Sequence, residues 1–546
     1  MNKRTARGLI VGLAVALVAS IGVPTPVSAA RGDGPSIDAT PVDKLKKGGT
    51  FVWAVNDMPD NFNTSTIDGN TADTAYIMGG ALPGFFYIDE KGAWQVDKNY
   101  ASKVELTSTK PQQVTYTLNP TAKWSDGKQI GLADFQGFWR ALNGTNPAFE
   151  VPSTTGYESI GSVRKGRGAN EVVVTFKEVY ADWIGLFGGL LPASLTKDPA
   201  TFNTAWKDAP TVSAGPFIYE SKDVAGGTVT MVRNPKWWGD KPVLDKIVYR
   251  AIPPATQMDA LANGEVDYID IGPNANNYTR AKGIPTLSVH VSKAPNFRHL
   301  TFGQGTAISS EVAVRQAVMA AIDRDAIAQA MIGTMDRRAS SLDNHIFVKG
   351  LSCYTNNAGQ FADRNVKLAR QILDKAGWKG TPRTKNGVAL KLSINIPSGV
   401  PTSAQEAQLM QAMLAEVGIP LEIKVIPLAT FWDPIEANNF EMTVFSWIGT
   451  SLPISSTQDV LRSDGGSNFG KIGSKRIDAL LEKAQTELDQ VKRCQLANQA
   501  DKLIWEAGHS APTYQRPNVT AKDKNLKNMG SFGFSSMDYT KVGFAK

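Results

Sequence analysis

Alternating apolar and polar residues predict two strands joined by a tight turn near the centre of the chain. Phe217 begins the first strand, and Val229 and Met231 take alternate positions of the second. Gly226-Gly227 separates the two runs, and a glycine pair in that place is typical of a β-hairpin. The segment from Ser213 to Gly239 therefore predicts a hairpin with one buried face.

The same alternation recurs on both sides of this hairpin, and a helical pattern lies within it. Strand patterns occur at Thr50–Val55, Val114–Leu118, Val172–Phe176, Lys246–Ile252 and Val266–Ile271. A helical pattern at 254–262 separates the last two strands. Strand-helix-strand order indicates an α/β sheet.

Helical periodicity dominates from Phe297 onward. Ser403 and Glu406 have the spacing of a capping box and predict the start of a helix that ends at Gly418. Alternating residues from Leu421 to Val425 then predict a strand. This second α/β unit indicates a second lobe.

Length and charge limit the classes of protein. A chain of 546 residues is too long for one ordinary core, so we expect two or three domains. The formal charge of +7 includes Lys3, Arg4 and Arg7, so 7 minus 3 leaves +4 without them. Because the basic runs are also short, a nucleic-acid-binding surface is not indicated.

The beginning of the chain has the pattern of an export signal. Three basic residues precede an apolar run from Leu9 to Val23, and the small residues Val27-Ser28-Ala29-Ala30 suit signal-peptidase cleavage. A membrane anchor is disfavoured because the apolar run is short and is followed by prolines. We expect residues 1–30 to be removed and residues 31–47 to form a flexible leader.

Candidate chemistry is sparse. Cys353 and Cys494 permit one disulfide in an exported protein, or else two buried thiols. The four histidines have no metal-ligand spacing, so no metal or other cofactor is expected. Ser194 and Lys197 match an S-x-x-K pattern, but the accompanying K-T-G element is absent. A secreted hydrolase of peptides or cell-wall fragments is kept as an alternative from another class.

Four segments together resemble the extracytoplasmic solute-binding proteins of peptide and nickel ABC importers, the oligopeptide- and dipeptide-binding family 5. They are the hairpin with its flanking GPF and RNPKWWG, the run KWSDGKQIGLADFQGFWR from Lys123, the run VRQAVMAAIDRDAIAQAMIG from Val314, and NFGKIGSKRIDALLEKA from Asn468. The resemblance covers nearly the whole chain after Gly48, in the family's order.

This resemblance implies an α/β fold of the two-lobed periplasmic-binding-protein type (class II, cluster C) with an extra inserted β-rich domain. We expect lobe I to comprise residues 48–75, 211–295 and 506–546, the inserted domain residues 76–210, and lobe II residues 296–505. The crossovers between lobes are expected near Lys293 and Trp505, and the lobes are expected to close on a ligand.

The resemblance also implies a set of ligand-binding residues. Trp447 corresponds to a tryptophan beside the ligand, and the surrounding segment, including Ser446, Ile448 and Thr450, corresponds to backbone that pairs with an extended peptide. Further candidates are Trp432, Gly215, Phe217, Asn468 and Tyr157. Either tryptophan could instead belong to the core, Asn468 could simply form a turn, and for Tyr157 a structural role is preferred.

One departure from the family pattern bears on ligand recognition. Members that bind a free α-amino group place an aspartate two or three residues after the tryptophan, whereas this chain has Trp447-Ile448-Gly449-Thr450. A threonine cannot supply the compensating charge that a buried ammonium requires. Either another carboxylate replaces it, with Asp57, Asp60 and Asp459 as candidates, or the ligand presents no buried amino terminus.

The implied function is that of an exported receptor, without catalysis, that captures oligopeptides for an ABC permease and its ATPases. Alternatives within the fold are a peptide-like natural product, an amino acid or guanidino compound, or a metal chelate. We expect a monomer in the extracellular or periplasmic space or at the cell surface. No lipid anchor is expected, since the leader contains no cysteine.

Overall fold

The computed structural model describes residues 34–546, so the predicted signal peptide and the first residues of the predicted leader lie outside the described part. Its strands are β1 (Ser36–Ile37), β2 (Thr50–Val55), β3 (Phe86–Ile88), β4 (Trp94–Val96), β5 (Ala101–Thr109), β6 (Gln112–Leu118), β7 (Ile160–Lys165), β8 (Glu171–Phe176), β9 (Phe217–Asp223), β10 (Thr228–Arg233), β11 (Lys246–Ala251), β12 (Tyr268–Asp270), β13 (Leu287–Phe302), β14 (Thr384–Lys385), β15 (Val388–Ala389), β16 (Leu392–Pro397), β17 (Leu421–Ile426), β18 (Met442–Trp447), β19 (Ser510–Asp523), β20 (Leu526–Lys527), β21 (Gly530–Ser531) and β22 (Gly543–Phe544).

The α-helices lie between these strands. They are α1 (Ala72–Gly79), α2 (Leu132–Leu142), α3 (Pro199–Thr204), α4 (Pro254–Ala262), α5 (Ala275–Gly283), α6 (Ala307–Ser310), α7 (Val312–Ala321), α8 (Arg324–Ile332), α9 (Val366–Lys375), α10 (Pro401–Ala415), α11 (Asp433–Glu436), α12 (Pro453–Ser456), α13 (Gln458–Leu461), α14 (Lys475–Thr486) and α15 (Gln490–Ala507).

One mixed sheet runs through both lobes. Its strand order is β17-β16-β18-β13-β19-β12-β2-β11-β10-β9. The two long strands β13 and β19 pair with each other and continue from one lobe into the other. The strands on either side of them pack on separate apolar cores, one mainly of lobe I and one mainly of lobe II. This two-lobed mixed α/β architecture confirms the fold class.

The predicted central hairpin is present as β9 and β10. Met231 lies opposite Tyr219, and β10 pairs with β11 on its other side. Val229, Met231 and Phe217 are buried in the lobe I core. The alternation of the sequence therefore marks the buried face of the hairpin.

A four-stranded antiparallel sheet, β5-β6-β8-β7, forms the centre of the segment predicted as the inserted domain. Buried residues of this segment, such as Tyr116 of β6 and Phe135 of α2, belong to the same apolar cluster as Phe51 and Val229 of lobe I. The two parts therefore share one core.

The flexible leader predicted for residues 31–47 is wrong over its described part. β1 pairs with β21, and the amide nitrogen of Thr40 donates to Asn528 over 2.7 Å. Lys522 is fully buried and places its ammonium 2.7 Å from the carboxylate of Asp38. Because a buried ammonium needs a partner, this polar segment is held to lobe I by its acidic residue.

The capping box predicted at Ser403 and Glu406 is also wrong. The helix begins two residues earlier, at Pro401, and both side chains are buried inside it. Glu406 forms an ion pair with Arg298 of β13, 2.7 Å between Nη2 and Oε2, and accepts a hydrogen bond from Tyr514 of β19. Their role is to fix α10 on the two crossover strands.

Cys353 and Cys494 form a disulfide, with 5.5 Å between their Cα atoms. It joins the loop that contains Cys353 to α15, within the apolar cluster of lobe II around Leu481. Of the two alternatives left open by the sequence, the bridged form is the one present.

Candidate functional site

A cleft of about 1650 Å³ lies where the crossover strands pass between the lobes. Lobe I contributes Asp73 and Asp270, the inserted domain contributes Tyr76, and lobe II contributes Ile448. The crossovers contribute 294–296 of β13 and 516–518 of β19, and further lining residues lie within 82–100 and 528–541. Clefts between domains with a few converging polar groups are the usual place for ligands.

The pairing of β13 with β19 is interrupted at this floor. Lys293 pairs with Pro517 and Phe297 with Gln515, so three residues of β13 face one residue of β19. The break lies beside Lys293, where the first crossover is expected. The return crossing lies at 515–517, whereas the sequence placed it near Trp505, which is buried within α15.

Strand β18 has an unpaired edge beside the cleft. On one side it pairs with β13 over its whole length, with Ser446 opposite Arg298. On the other side β16 pairs only with Met442 and Thr443. Within the described residues, the edge from Val444 to Trp447 therefore has no ladder partner on that side. The strand leads directly into Ile448, which is 79% exposed and lines the cleft.

Aromatic rings surround the end of β18. Trp447 is stacked between His299, at 5.7 Å, and Phe469, at 6.0 Å. Trp432 packs against Phe445 and Phe469 and remains 41% exposed. Burial lowers the pKa of His299 well below its ordinary value, so the imidazole is a neutral stacking partner. Both predicted tryptophans thus belong to one partly exposed aromatic surface of lobe II.

The segment after Trp447 is held to the crossover. A Cβ added to Gly449 would lie 2.3 Å from the carbonyl oxygen of Pro295. The amide nitrogen of Gly449 donates a hydrogen bond to the side chain of Asn296 over 3.1 Å. Only glycine allows this close approach. Thr450 is exposed, and its hydroxyl accepts a hydrogen bond from the amide of Leu452.

Asp73, Asp270 and the phenol of Tyr76 interact electrostatically, and all three line the cleft. Desolvation raises the pKa of Asp73, although that carboxylate accepts hydrogen bonds from the amides of Asn56 and Asp57. Burial, together with the nearby charges of Asp270 and Asp73, raises the pKa of Tyr76 to about 12. The ring of Tyr76 is stacked on Trp53 at 5.1 Å.

Asp270 lies at the end of β12. Its Oδ1 accepts the amide of Gly272 at 2.8 Å, and its Oδ2 lies 3.4 Å from Nδ2 of Asn518. The side chain is exposed to the open cleft, yet the surrounding protein desolvates it and raises its pKa. Asp270 is therefore a carboxylate that a ligand can reach.

Four of the candidate ligand-binding residues have structural roles, which for Tyr157 was the preferred interpretation and for Asn468 one of the two alternatives. Phe217 is a core residue, and Gly215 allows the backbone of Gly80 to approach. The buried hydroxyl of Tyr157 accepts the amide of Phe187. The buried amide of Asn468 bonds to the backbone of Arg462 and Ile472, which stabilises a turn.

The three carboxylates proposed as substitutes for the missing aspartate also lie elsewhere. Asp57 and Asp60 are exposed and are not among the residues that line the cleft. Asp459 accepts the amides of Gly466 and Ser467 and so organises its own loop. None of the three carboxylates therefore supplies the negative charge that an aspartate at position 450 would supply.

Sequence reasoning missed Asp73, Tyr76, Asp270 and Arg516. A signal for Asp270 was available, because it lies one residue before the end of a predicted strand of an α/β sheet, and ligands commonly bind at such strand ends. The pattern around Arg516 gave no comparable signal, since TYQRPN resembles any exposed strand end.

Comparisons with known proteins agree with this geometry. Residues 95–469 match the family model of bacterial extracellular solute-binding proteins, family 5 Middle. The oligopeptide-binding protein OppA of Mycobacterium tuberculosis is 38% identical over 509 residues, which cover 92% of this chain and 86% of that protein.

Solved structures share the fold. A periplasmic EDTA-binding protein, EppA, superposes with a TM-score of 0.86 at 26% identity and covers 94% of this chain and 98% of its own. The oligopeptide-binding protein AppA from Bacillus subtilis, solved with a nonapeptide, superposes with a TM-score of 0.73 at 20% identity, covering 92% of this chain and 100% of its own.

None of the helices between residues 34 and 546 combines the length and the apolar character that a membrane span requires. No group of three or more histidine, cysteine or acidic side chains there is placed to hold a metal ion.

Proposed function

This chain belongs to the bacterial extracellular solute-binding proteins of family 5, and we propose that it captures oligopeptides in the cleft between its lobes. Proteins of this family are receptors of ABC importers and deliver their ligand to a membrane permease with cytoplasmic ATPases. They are not enzymes, so the alternative of a secreted hydrolase is rejected. Ser194 is accordingly an exposed loop residue.

The unpaired edge of β18 carries the proposal of a peptide ligand. Amide and carbonyl groups from Val444 to Trp447 can pair with an extended peptide as an added strand. Such pairing uses only the ligand's backbone, so it tolerates many side chains. The aromatic surface of Trp432, Trp447 and Phe469 supplies apolar contact beside it.

The test is a titration of ligand-free protein with peptides of two to nine residues. Unfolding and refolding would remove any co-purified ligand, and tryptophan fluorescence or calorimetry would report binding. We expect peptides of equal length and unrelated sequence to bind within about tenfold of one another, about 1.4 kcal/mol. If no peptide bound at millimolar concentration, the proposal would be wrong.

A polycarboxylate or its metal complex is the second candidate ligand. EppA, an EDTA-binding protein, is similar over nearly the whole chain, and Arg516 lines the cleft of this protein. Titration with EDTA, with and without Fe³⁺, separates the two candidates. Tight binding of EDTA together with no response to peptides would favour the second.

We propose that the protein is exported and acts as a monomer. The only two cysteines of the sequence are joined to each other, so neither is free to carry a lipid. Mass determination of the exported protein would test this, because a diacylglycerol group adds a defined mass. Light scattering would test the oligomeric state.

A further inference from the structure

Arg516 lies at the break between the two crossover strands. Its neighbours Gln515 and Pro517 pair with Phe297 and Lys293, whereas Arg516 itself faces the unpaired segment 294–296. The side-chain amide of Gln515 donates to the carbonyl of Ala294 over 2.7 Å and fixes this part of the floor. Arg516 is therefore positioned where both lobes meet.

The surroundings of Arg516 come from both lobes. Asp270 and Gly272 of lobe I line the same cleft, and the charges of Arg298 and Glu406 of lobe II act on the guanidinium. A Cβ added to Gly272 would lie 3.9 Å from Nη2 of Arg516, which places the guanidinium beside the turn that holds Asp270. The side chain thus points toward the space that a ligand would occupy.

The guanidinium of Arg516 makes no hydrogen bond or ion pair with any residue of 34–546. Other buried arginines of the protein are bonded. Arg298 pairs with Glu406, Arg315 donates to four carbonyl oxygens, and Arg324 pairs with Asp343 and also donates to carbonyls. Arg516 differs from them although it is itself half-buried.

The surroundings compensate the burial of this guanidinium only in part. Burial lowers the pKa of Arg516 although the nearby charges of Asp270 and Glu406 act in the opposite direction, so the group would gain from a further counter-charge. Asp270 already accepts the amide of Gly272, whereas all donors of Arg516 remain available. A planar guanidinium matches a carboxylate through two parallel hydrogen bonds.

We propose that Arg516 binds a carboxylate of the ligand at the floor of the cleft. This proposal rests on the ligand-binding function above and specifies which chemical group the site selects. In a peptide the group is the terminal carboxylate or an acidic side chain. In a non-peptide ligand it is a carboxylate of the molecule itself.

The experiment uses three probes: tetra-alanine, its C-terminal amide and citrate. The variants are R516Q, R516K and, as a control, R250Q, which alters a surface arginine of lobe I that is paired with Glu265 outside the cleft. Calorimetry measures each affinity, and thermal unfolding shows that each variant is folded.

We expect R516Q to lower the affinity for tetra-alanine at least tenfold and to leave the affinity for the amide nearly unchanged, because the amide lacks the charge that Arg516 pairs with. R516K should restore part of the affinity, and R250Q should match the wild type. Citrate that binds in an Arg516-dependent way, while no peptide binds, would support the inference and reject the peptide ligand.

Two results would overturn the inference. One is that R516Q lowers the affinity for tetra-alanine and for its amide equally, or changes neither affinity. The other is that no carboxylate probe binds in an Arg516-dependent way, including the case in which none of the three probes binds. Peptide binding without dependence on Arg516 would leave the peptide-receptor function intact.

Discussion

The carboxylate of Asp182 lies 2.5 Å from the guanidinium of Arg493, across the contact between the inserted domain and lobe II. Both side chains are buried, with 2% and 5% of their surface exposed. The amide of Ala181 donates to the carbonyl of Gln485 beside them, and that of Ser455 donates to Asp182. The inserted domain, which shares its core with lobe I, is therefore joined to lobe II on this side, in addition to the connection through the crossover strands.

We predict that D182N weakens ligand binding by destabilising this contact. Removing one partner leaves Arg493 buried without a counter-charge, which costs about 3–5 kcal/mol. Opening the lobes hydrates that charge, so the variant should favour an open form and bind its ligand at least tenfold more weakly. Calorimetry and small-angle scattering of the ligand-free protein provide the measurements.

The control for D182N is E105Q, which removes an exposed ion pair with Lys103 elsewhere in the inserted domain. It should leave affinity and radius of gyration unchanged. Equal affinity of D182N and the wild type would show that the contact has no part in closure.

A second prediction concerns the stacked ring of Trp447. W447A removes the contacts with His299 and Phe469 and should lower affinity for peptides by about 1–3 kcal/mol, while the partly exposed position limits the loss of folding stability. W447F keeps a stacking ring and should retain most of the affinity. An unchanged dissociation constant in W447A would assign the ring to the core alone.

The sequence predicted the hairpin and the two α/β units, because each depends on local periodicity. It also predicted the disulfide as one of two possible forms of the cysteine pair, because that choice depends on residue counts. It misassigned Ser403 and Glu406, whose capping-box spacing is also met by a buried pair that faces Arg298. The local pattern cannot show that two strands more than 100 residues away supply the partners.

The candidate site was predicted less well than the fold. The end of β18 followed from resemblance, but Phe217 and Asn468 have roles in packing and turn formation. Arg516 and Asp270 meet only because β12 and β19 are neighbours in the sheet. That adjacency brings together segments about 250 residues apart in sequence, so the local spacing of residues along the chain could not predict it.

A third prediction uses pH to measure the attachment of the segment around Asp38. Desolvation raises the pKa of Asp38, but the hydrogen bond and charge of Lys522 outweigh it and lower the pKa overall. Burial lowers the pKa of Lys522, so that lysine alone opposes folding at neutral pH. The lowered pKa of Asp38 is the better measure of what the ion pair contributes to stability, since only the carboxylate reaches solvent.

Because the folded pKa of Asp38 lies below the unfolded value of about 3.9, the pair stabilises the fold above that pH and the effect is lost as pH falls through the folded pKa. D38N should therefore reduce the free energy of unfolding by about 1–3 kcal/mol at pH 7, after allowance for solvent screening. Denaturation at several pH values should show the variant and the wild type converging below about pH 4. A constant difference would contradict the assignment.

The last prediction concerns position 450, where relatives that bind an amino terminus have an aspartate. Thr450 is exposed, and its hydroxyl only accepts the amide of Leu452, a bond that an aspartate can also accept. T450D should therefore fold normally and add a negative charge two residues beyond Ile448 at the cleft. We expect it to tighten binding of tetra-alanine several-fold and to leave N-acetyl-tetra-alanine unchanged. T450N is the uncharged control of similar size, and equal gains in T450D and T450N, or for both peptides, would show that the amino terminus does not bind near this position.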